Sequence, residues 1–236
     1  MLNKKLVSTV VLLVLLISAL GWIIFSPNRV LKNYQIETHL KKVETSQVDK
    51  VVKPYLGQSF WRLDLDSLHA KIVQLDWVYH ATVTRRWPGQ IDISIEEQKP
   101  VVRWGKDGLL NKNGDIFYPT NIASFQNLVE LDGDDGKSQQ LLKDLVVFQG
   151  AFNKLGWTIS KLVKNADNVW QIHFVKHPQV ELDETDWKHK LKRFIRAYPQ
   201  IKEALRKNAR LYDLRYSNGF AIKRISETQK TDKTDS

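Results

Sequence analysis

The chain has 236 residues, with 36 Lys and Arg against 26 Asp and Glu, a net charge of +10, and no cysteine. The missing thiols exclude disulfides, thiolate metal centres and cysteine nucleophiles. The positive excess suits an anionic lipid surface, nucleic acid or an acidic partner, and charge alone does not choose among them.

Leu6 to Phe25, LVSTVVLLVLLISALGWIIF, carries no charge. At a rise of about 1.5 Å per residue this run is about 30 Å long, the hydrocarbon thickness of a bilayer. A cleaved signal sequence has a shorter apolar core, roughly 7–15 residues, closed by small residues. Here the run continues through Gly21-Trp22-Ile23-Ile24-Phe25, with Trp22 suited to a membrane interface. The segment predicts an uncleaved transmembrane helix over residues 6–25, behind a short cytoplasmic tail, residues 1–5. A long domain after a first span crosses largely regardless of its charge, so the rest of the chain is placed outside the inner membrane. Residues 26–33 read as a linker, with Pro27 stopping the helix.

The next block predicts the order strand, helix, helix, strand, strand. Leu31 to Thr38 suits a short strand, and Val48, Val51, Val52, Tyr55 and Leu56 recur at helical spacing until Gly57. Asp66 suits the N-cap of a second helix with Leu68, Ile72 and Leu75 on its apolar face. Val78 to Arg86 alternates, with Tyr79, Ala81 and Val83 on one face. Ile91, Ile93 and Ile95 alternate against Asp92, Ser94 and Glu96, and slipping one residue would put all three in water. Pro88-Gly89 predicts the turn between these strands, with Trp87 extended at its edge. Arg85 and Arg86 form either a solvated strand end or an exposed basic contact for another protein.

Past Pro100 the pattern becomes a meandering sheet with two helices. Short strands are expected at Val101 to Trp104, Leu109-Leu110, Ile116 to Tyr118 and Leu128 to Leu131. Ser138 suits the cap of a helix with Leu141, Leu145, Phe148, Phe152 and Leu155 on one stripe. Strands follow at Trp157 to Val163, at Val169 to Val175 with Trp170, Ile172 and Phe174 inward, and at Gln179 to Leu182. A last helix begins near Thr185, turns Trp187, Leu191, Phe194, Ile195 and Tyr198 inward, and breaks at Pro199. Lys188, Lys190, Lys192, Arg193 and Arg196 are expected on its exposed faces. Leu211 to Arg215 and Gly219 to Ile225 form a closing pair, and residues 226–236, without one apolar side chain, are expected to be disordered.

The common catalytic and cofactor signatures are missing. Asp132-Gly133-Asp134-Asp135-Gly136 has Lys137 and Lys143 where a calcium loop needs glycine and glutamate, and reads as a solvated acidic turn. His173 and His177 would lie roughly 13 Å apart on a strand, with no third ligand in sight. No enzyme activity, cofactor, metal, nucleic acid or small-molecule substrate is therefore expected. Asn218-Gly219 predicts a tight hairpin. The strand after it has only a polar tail behind it, which suits a sheet edge open to another chain.

The stretch from Ser59 to Trp104 resembles the FtsQ/DivIB family of bacterial cell division proteins. The resemblance rests on Leu75-Asp76-Trp77-Val78, Val83-Thr84-Arg85-Arg86-Trp87-Pro88, Glu96-Glu97-Gln98-Lys99-Pro100 and Val101-Val102-Arg103-Trp104. Arg196-Ala197-Tyr198-Pro199, and Tyr212-Asp213-Leu214-Arg215-Tyr216 followed by Gly219, are similar to the same family. The resemblance implies an α+β protein: one N-terminal transmembrane helix, a POTRA domain (β-α-α-β-β) over residues 34–99, and a larger mixed β domain with two helices over residues 100–225. It implies a single-pass inner-membrane protein with its bulk in the periplasm at the division septum. Its role would be a non-enzymatic divisome scaffold that binds FtsB, and with it FtsL, and links early and late division proteins. POTRA modules also occur in secretion and envelope-assembly pathways, which is the alternative reading. The implied partner surface comprises Tyr216, Ser217, Asn218, Gly219, Phe220, Ala221 and Ile222, with Arg85, Arg86 and Trp87 as contacts on the POTRA domain. Phe220 stands where the family often has a small residue, and Ala166-Asp167-Asn168-Val169 lacks the basic residue often found before the strand's tryptophan. On this reading, Phe220→Asp weakens partner capture and leaves the fold intact.

Overall fold

The computed structural model of the chain describes residues 4–25 and 30–224. The tail expected over 226–236 and linker positions 26–29 lie outside the described residues. Two compact units are present, Met1–Gln98 and Lys99–Ser236.

The first unit begins with helix α1 (Lys4–Phe25). Its apolar side chains from Val10 to Ile17 are exposed all round the helix. Among the described residues, no helix is long and apolar enough to cross a membrane.

Beyond it come strand β1 (Asn33–Ile36), helices α2 (Thr45–Val52) and α3 (Leu65–Val73), and strands β2 (Val78–Arg86) and β3 (Gln90–Glu97). The sheet order is β1-β3-β2, with β1 parallel and β2 antiparallel to β3. Ile91, Ile93 and Ile95 are buried and share one core with Val48, Val52, Leu68 and Ile72 of the two helices. The predicted order of elements is the observed one.

Two details differ. Helix α3 starts at Leu65, so the capping carboxylate is that of Asp64, which accepts from the Ser67 N–H at 2.9 Å, while Asp66 falls in the first turn. A register shift between Val78 and His80 turns Tyr79 outward, and Val78 and Ala81 take the inward places.

Gly89 joins the hairpin to the start of the unit. Its φ is +131°, and a Cβ there would stand 2.9 Å from the Val30 carbonyl oxygen. Its own carbonyl accepts from the Lys32 N–H at 2.8 Å. Only glycine permits both the conformation and the approach.

Glu97 closes the other end of the unit. One carboxylate oxygen accepts from the backbone N–H groups of Lys41, Lys42 and Val43 at 2.8, 2.7 and 2.8 Å. Burial pushes its pKa up, but the three donors and the Lys41 charge outweigh burial and hold it below the ordinary glutamate range. A depressed folded pKa means stabilisation that is present above the unfolded value and lost as pH falls through the folded one. Glu97→Gln is therefore expected to cost about 1–3 kcal/mol at neutral pH. Urea midpoints of variant and parent should converge as the pH falls below the ordinary glutamate range and Glu97 is protonated in the folded chain; a gap of equal size at neutral and acid pH would contradict this role.

The second unit contains strands β4 (Pro100–Trp104), β5 (Gly108–Asn111), β6 (Ile116–Phe117) and β7 (Glu130–Asp132), then helix α4 (Ser138–Phe152). Strands β8 (Ile159–Lys164), β9 (Val169–Phe174) and β10 (Gln179–Asp183) follow, then helices α5 (Trp187–Ala197) and α6 (Glu203–Lys207), and strands β11 (Ala209–Asp213) and β12 (Ala221–Arg224). All nine strands form one sheet, ordered β12-β11-β10-β9-β8-β7-β4-β5-β6. It is mixed, with β7 parallel to β4 and β8, and β10 parallel to β11.

Trp170, Ile172 and Phe174 point into the core as their alternation requires, against Leu141, Leu145, Phe148 and Phe152 of α4 and Leu191 and Phe194 of α5. The core is aromatic: Trp157 stacks on Phe152 with ring centroids 5.8 Å apart, and Phe194 lies 5.1 Å from Tyr212. Helix α5 stops just before Pro199, as expected. Ser138 does not cap α4. It is the helix's first residue, and its buried hydroxyl donates to the Gly114 carbonyl at 2.7 Å. Helix α6 has five residues, too few for an apolar stripe to mark it in the sequence.

Candidate docking edge

Strand β12 ends the sheet. It pairs antiparallel with β11 through Tyr212↔Ile222 and Asp213↔Ala221, and among the described residues no strand lies on its other side. Ile222 packs on the core, while Lys223 and Arg224 are exposed. Alternation holds from Ile222 to Lys223 and then ends, with Arg224 exposed although it shares the face of Ile222.

The connection into this strand is not the tight hairpin that Asn218-Gly219 predicts. The Asp213↔Ala221 pair closes a loop of residues 214–220, with Asn218 and Gly219 inside it. Its carbonyls need donors, and α5 supplies them. The Arg193 guanidinium donates to the carbonyls of Ser217, Tyr216 and Gly219 at 2.6, 3.0 and 3.0 Å. Lys190 donates to the Arg215 carbonyl at 3.0 Å and to Asp183 at 2.6 Å. Only 5% of Lys190 is exposed. Two of the five cations expected to be solvated thus hold this loop instead.

Arg215 grips Asp213 through two parallel bonds of 2.8 and 2.7 Å, with Glu181 a further 3.6 Å away. This bonding holds the Asp213 carboxyl below its usual range against the opposing pull of burial, and raises the Arg215 pKa. Next to it, burial pushes the Tyr212 hydroxyl up to about 12.

The sequence-predicted contact residues fall into three settings. Tyr216, Ser217 and Asn218 are exposed in the loop, with Tyr216 at 58%. Gly219 is half-buried, and Ala221 and Ile222 belong to β12. Phe220 faces inward, with its ring 5.2 Å from Phe194 and 6.3 Å from Tyr212. Phe220 is half-buried against the core, so a carboxylate there is expected to cost stability as well as capture.

In the first unit, Arg85 is spent on its own loop, donating to the carbonyls of Phe60 at 3.1 Å and Leu63 at 2.5 Å. Arg86 approaches Asp92 at 3.4 Å with its side chain 57% exposed, and Trp87 is 62% exposed. Where the sequence has Ala166 and Asp167 in place of a basic residue, Lys164 supplies a cation from the neighbouring strand, 4.5 Å from the Trp170 ring centroid.

Other chemistry-bearing residues have structural roles. Asp134 accepts from the Gly136 N–H at 2.9 Å, and Asp135 accepts from the Trp104 indole at 2.7 Å. His177 stacks on Trp157, with centroids 4.5 Å apart. No cluster of three metal-ligating side chains occurs among the described residues. A pocket of about 740 Å³ beside α4 is mostly apolar, and its charged lining residues, Lys112 and Lys143, share one sign. Two like cations do not make an acid–base pair.

A small β-α-α-β-β unit followed by a broad mixed sheet, whose end strand is uncovered on one side among the described residues, defines a class, a two-unit α+β chain with an open sheet edge. Residues 31–98 match the family model described as "POTRA domain, FtsQ-type", and residues 102–215 match "Cell division protein FtsQ/DivIB, C-terminal". The cell division protein FtsQ of Xanthomonas campestris pv. campestris is 30% identical over 197 residues, spanning 84% of this chain and 70% of that protein. FtsQ of Coxiella burnetii is 28% identical over 222 residues, 93% of this chain and 91% of that protein. FtsQ of Vibrio cholerae is 28% identical over 219 residues, 92% and 84% of the two chains. The chain belongs to the FtsQ/DivIB family of cell division proteins. The C-terminal family match stops at Arg215, near the start of the loop and before β12.

Proposed function

We propose that the chain is a non-enzymatic divisome scaffold that captures FtsB, and with it FtsL, by strand addition along β12. In this reading, residues 6–25 anchor it as a single-pass protein of the inner membrane, with a POTRA domain and β domain in the periplasm at the septum. There it links early and late division proteins. The all-round apolar exposure of α1 supports the anchor. The observation that carries the docking route is the place of β12 at the end of the sheet.

The energetics favour regulated capture. Alternate residues of a four-residue strand face outward, offering about four backbone hydrogen bonds at about 0.5–1.5 kcal/mol each. That gives about 2–6 kcal/mol, short of the roughly 8 kcal/mol of a micromolar complex. Side chains beside the edge, among them exposed Tyr216, Lys223 and Arg224, must supply the difference.

A proline scan from Ala221 to Arg224 tests the route. Proline removes one N–H, and successive N–H groups of a strand point to opposite sides. Two alternate substitutions should disturb the β11–β12 pairing. The other two should leave the melting temperature in place and reduce capture of an FtsB periplasmic segment by tenfold or more. If all four variants bind like the parent, the partner docks elsewhere.

A further inference from the structure

The chain comes into the first unit between the β2–β3 turn and the loop after α2. Val30 bridges Ser59, the Leu31 N–H donates to the Gln58 carbonyl at 2.9 Å, and the Lys32 N–H donates to Gly89 at 2.8 Å. Phe25, the last residue of α1, is five peptide steps from Val30. A fully extended chain covers at most about 18 Å in that distance. Whatever α1 is set in, this end of the unit stays close to it.

The same end presents two large aromatic side chains to the outside, Trp61 at 42% and Trp87 at 62% exposure. Trp61 follows Phe60, whose ring it meets edge-on at 5.3 Å, and Trp87 opens the turn that holds Gly89. Exposed Lys32 and Arg62 flank them, together with Arg86. The nearby carboxylates are engaged, Asp64 in capping α3 and Asp92 with Arg86. Amphipathic indoles settle at the headgroup level of a bilayer, and cations next to a membrane are drawn to anionic lipid.

We infer that this end of the first unit rests on the outer membrane-facing surface of the bilayer that holds α1, with Trp61 and Trp87 in the headgroup layer and Lys32, Arg62 and Arg86 against anionic phosphates. The inference rests on the anchor proposed above. The contact orients the unit on the bilayer in place of a free tether.

The absence of native cysteine makes one introduced thiol unique in the full chain. Trp61→Cys and Trp87→Cys, each carrying a nitroxide, are reconstituted in nanodiscs of phosphatidylglycerol and phosphatidylcholine, with Asp107→Cys as an exposed reference in the second unit. Lys32→Cys repeats the reading with both indoles kept. The ratio of collision with oxygen to collision with a water-soluble nickel chelate should be several-fold higher at 61, 87 and 32 than at 107. It should fall in discs of phosphatidylcholine alone, and in Arg62→Gln combined with Arg86→Gln. Labels at 61, 87 and 32 as open to nickel as the label at 107, in a chain that co-elutes with the disc, overturn the contact and leave the anchor standing. A chain that fails to co-elute overturns both. Protection that needs an added protein assigns the face to that protein and also overturns the lipid contact.

Discussion

Phe220→Asp lowers the stability of the second unit by about 2–4 kcal/mol, read as a lower urea midpoint and a weaker near-ultraviolet aromatic signal. The ring of Phe220 sits edge-on to Phe194 and near Tyr212, and both of those side chains are fully buried. Removing it opens a gap against the aromatic core. Loss of capture in this variant would follow from loss of the edge itself. Lys223→Asp is the informative companion, since Lys223 is exposed on the same strand. The Lys223 charge acts on Asp213, so the reversal should cost no more than about 1 kcal/mol, well short of the loss in Phe220→Asp, and act mainly on partner binding. A Phe220→Asp protein with the parent's midpoint would mean that the ring is not seated in the core.

The contrast between those two positions shows what a linear sequence carries. Alternation was readable wherever one face of a strand is buried, as in Ile91, Ile93 and Ile95 or in Trp170, Ile172 and Phe174, because the period of two directly reports burial. The end-of-sheet position of β12 was readable from the polar stretch over residues 226–236, and β12 is the terminal strand of the described sheet. Tyr79 was not, because a one-residue bulge leaves the local pattern unchanged while reversing the facing. The tight Asn218-Gly219 turn was not observed, because the pairing of Asp213 with Ala221 and the donors on α5 favour a longer loop. Cations were the least readable. Arg85 and Arg86 are neighbours in sequence, yet one is spent on two carbonyls and the other is exposed. On α5 the only local hint was spacing: Lys190 and Arg193 are three residues apart and so share a face beside Leu191 and Phe194. Their carbonyl partners lie more than twenty residues downstream, beyond any local window.

Arg193→Ala should loosen the docking edge more than any change on the edge strand's outer face. One guanidinium satisfies three loop carbonyls, and hydrogen bonds from a charged donor are worth about 1.5–3 kcal/mol when buried. With partial exposure and relaxation, the net local loss should be about 2–4 kcal/mol. Hydrogen exchange at residues 214–224 should accelerate by one to two orders of magnitude or more, since each 1.4 kcal/mol is about tenfold. Exchange in β8 and β9 should remain close to the parent's. Partner capture should weaken in step, because a strand of four residues held only by β11 must be ordered again each time a chain adds to it. Arg193→Lys separates charge from geometry: an ammonium cannot reach three carbonyls as the planar fork does, so the conservative variant should recover only part of the loss. Lys192→Ala, one residue away and exposed, should leave both exchange and capture unchanged. Unaltered exchange over 214–224 in Arg193→Ala would show that β12 is held by its β11 pairing alone, and that α5 does not prepare the edge for its partner.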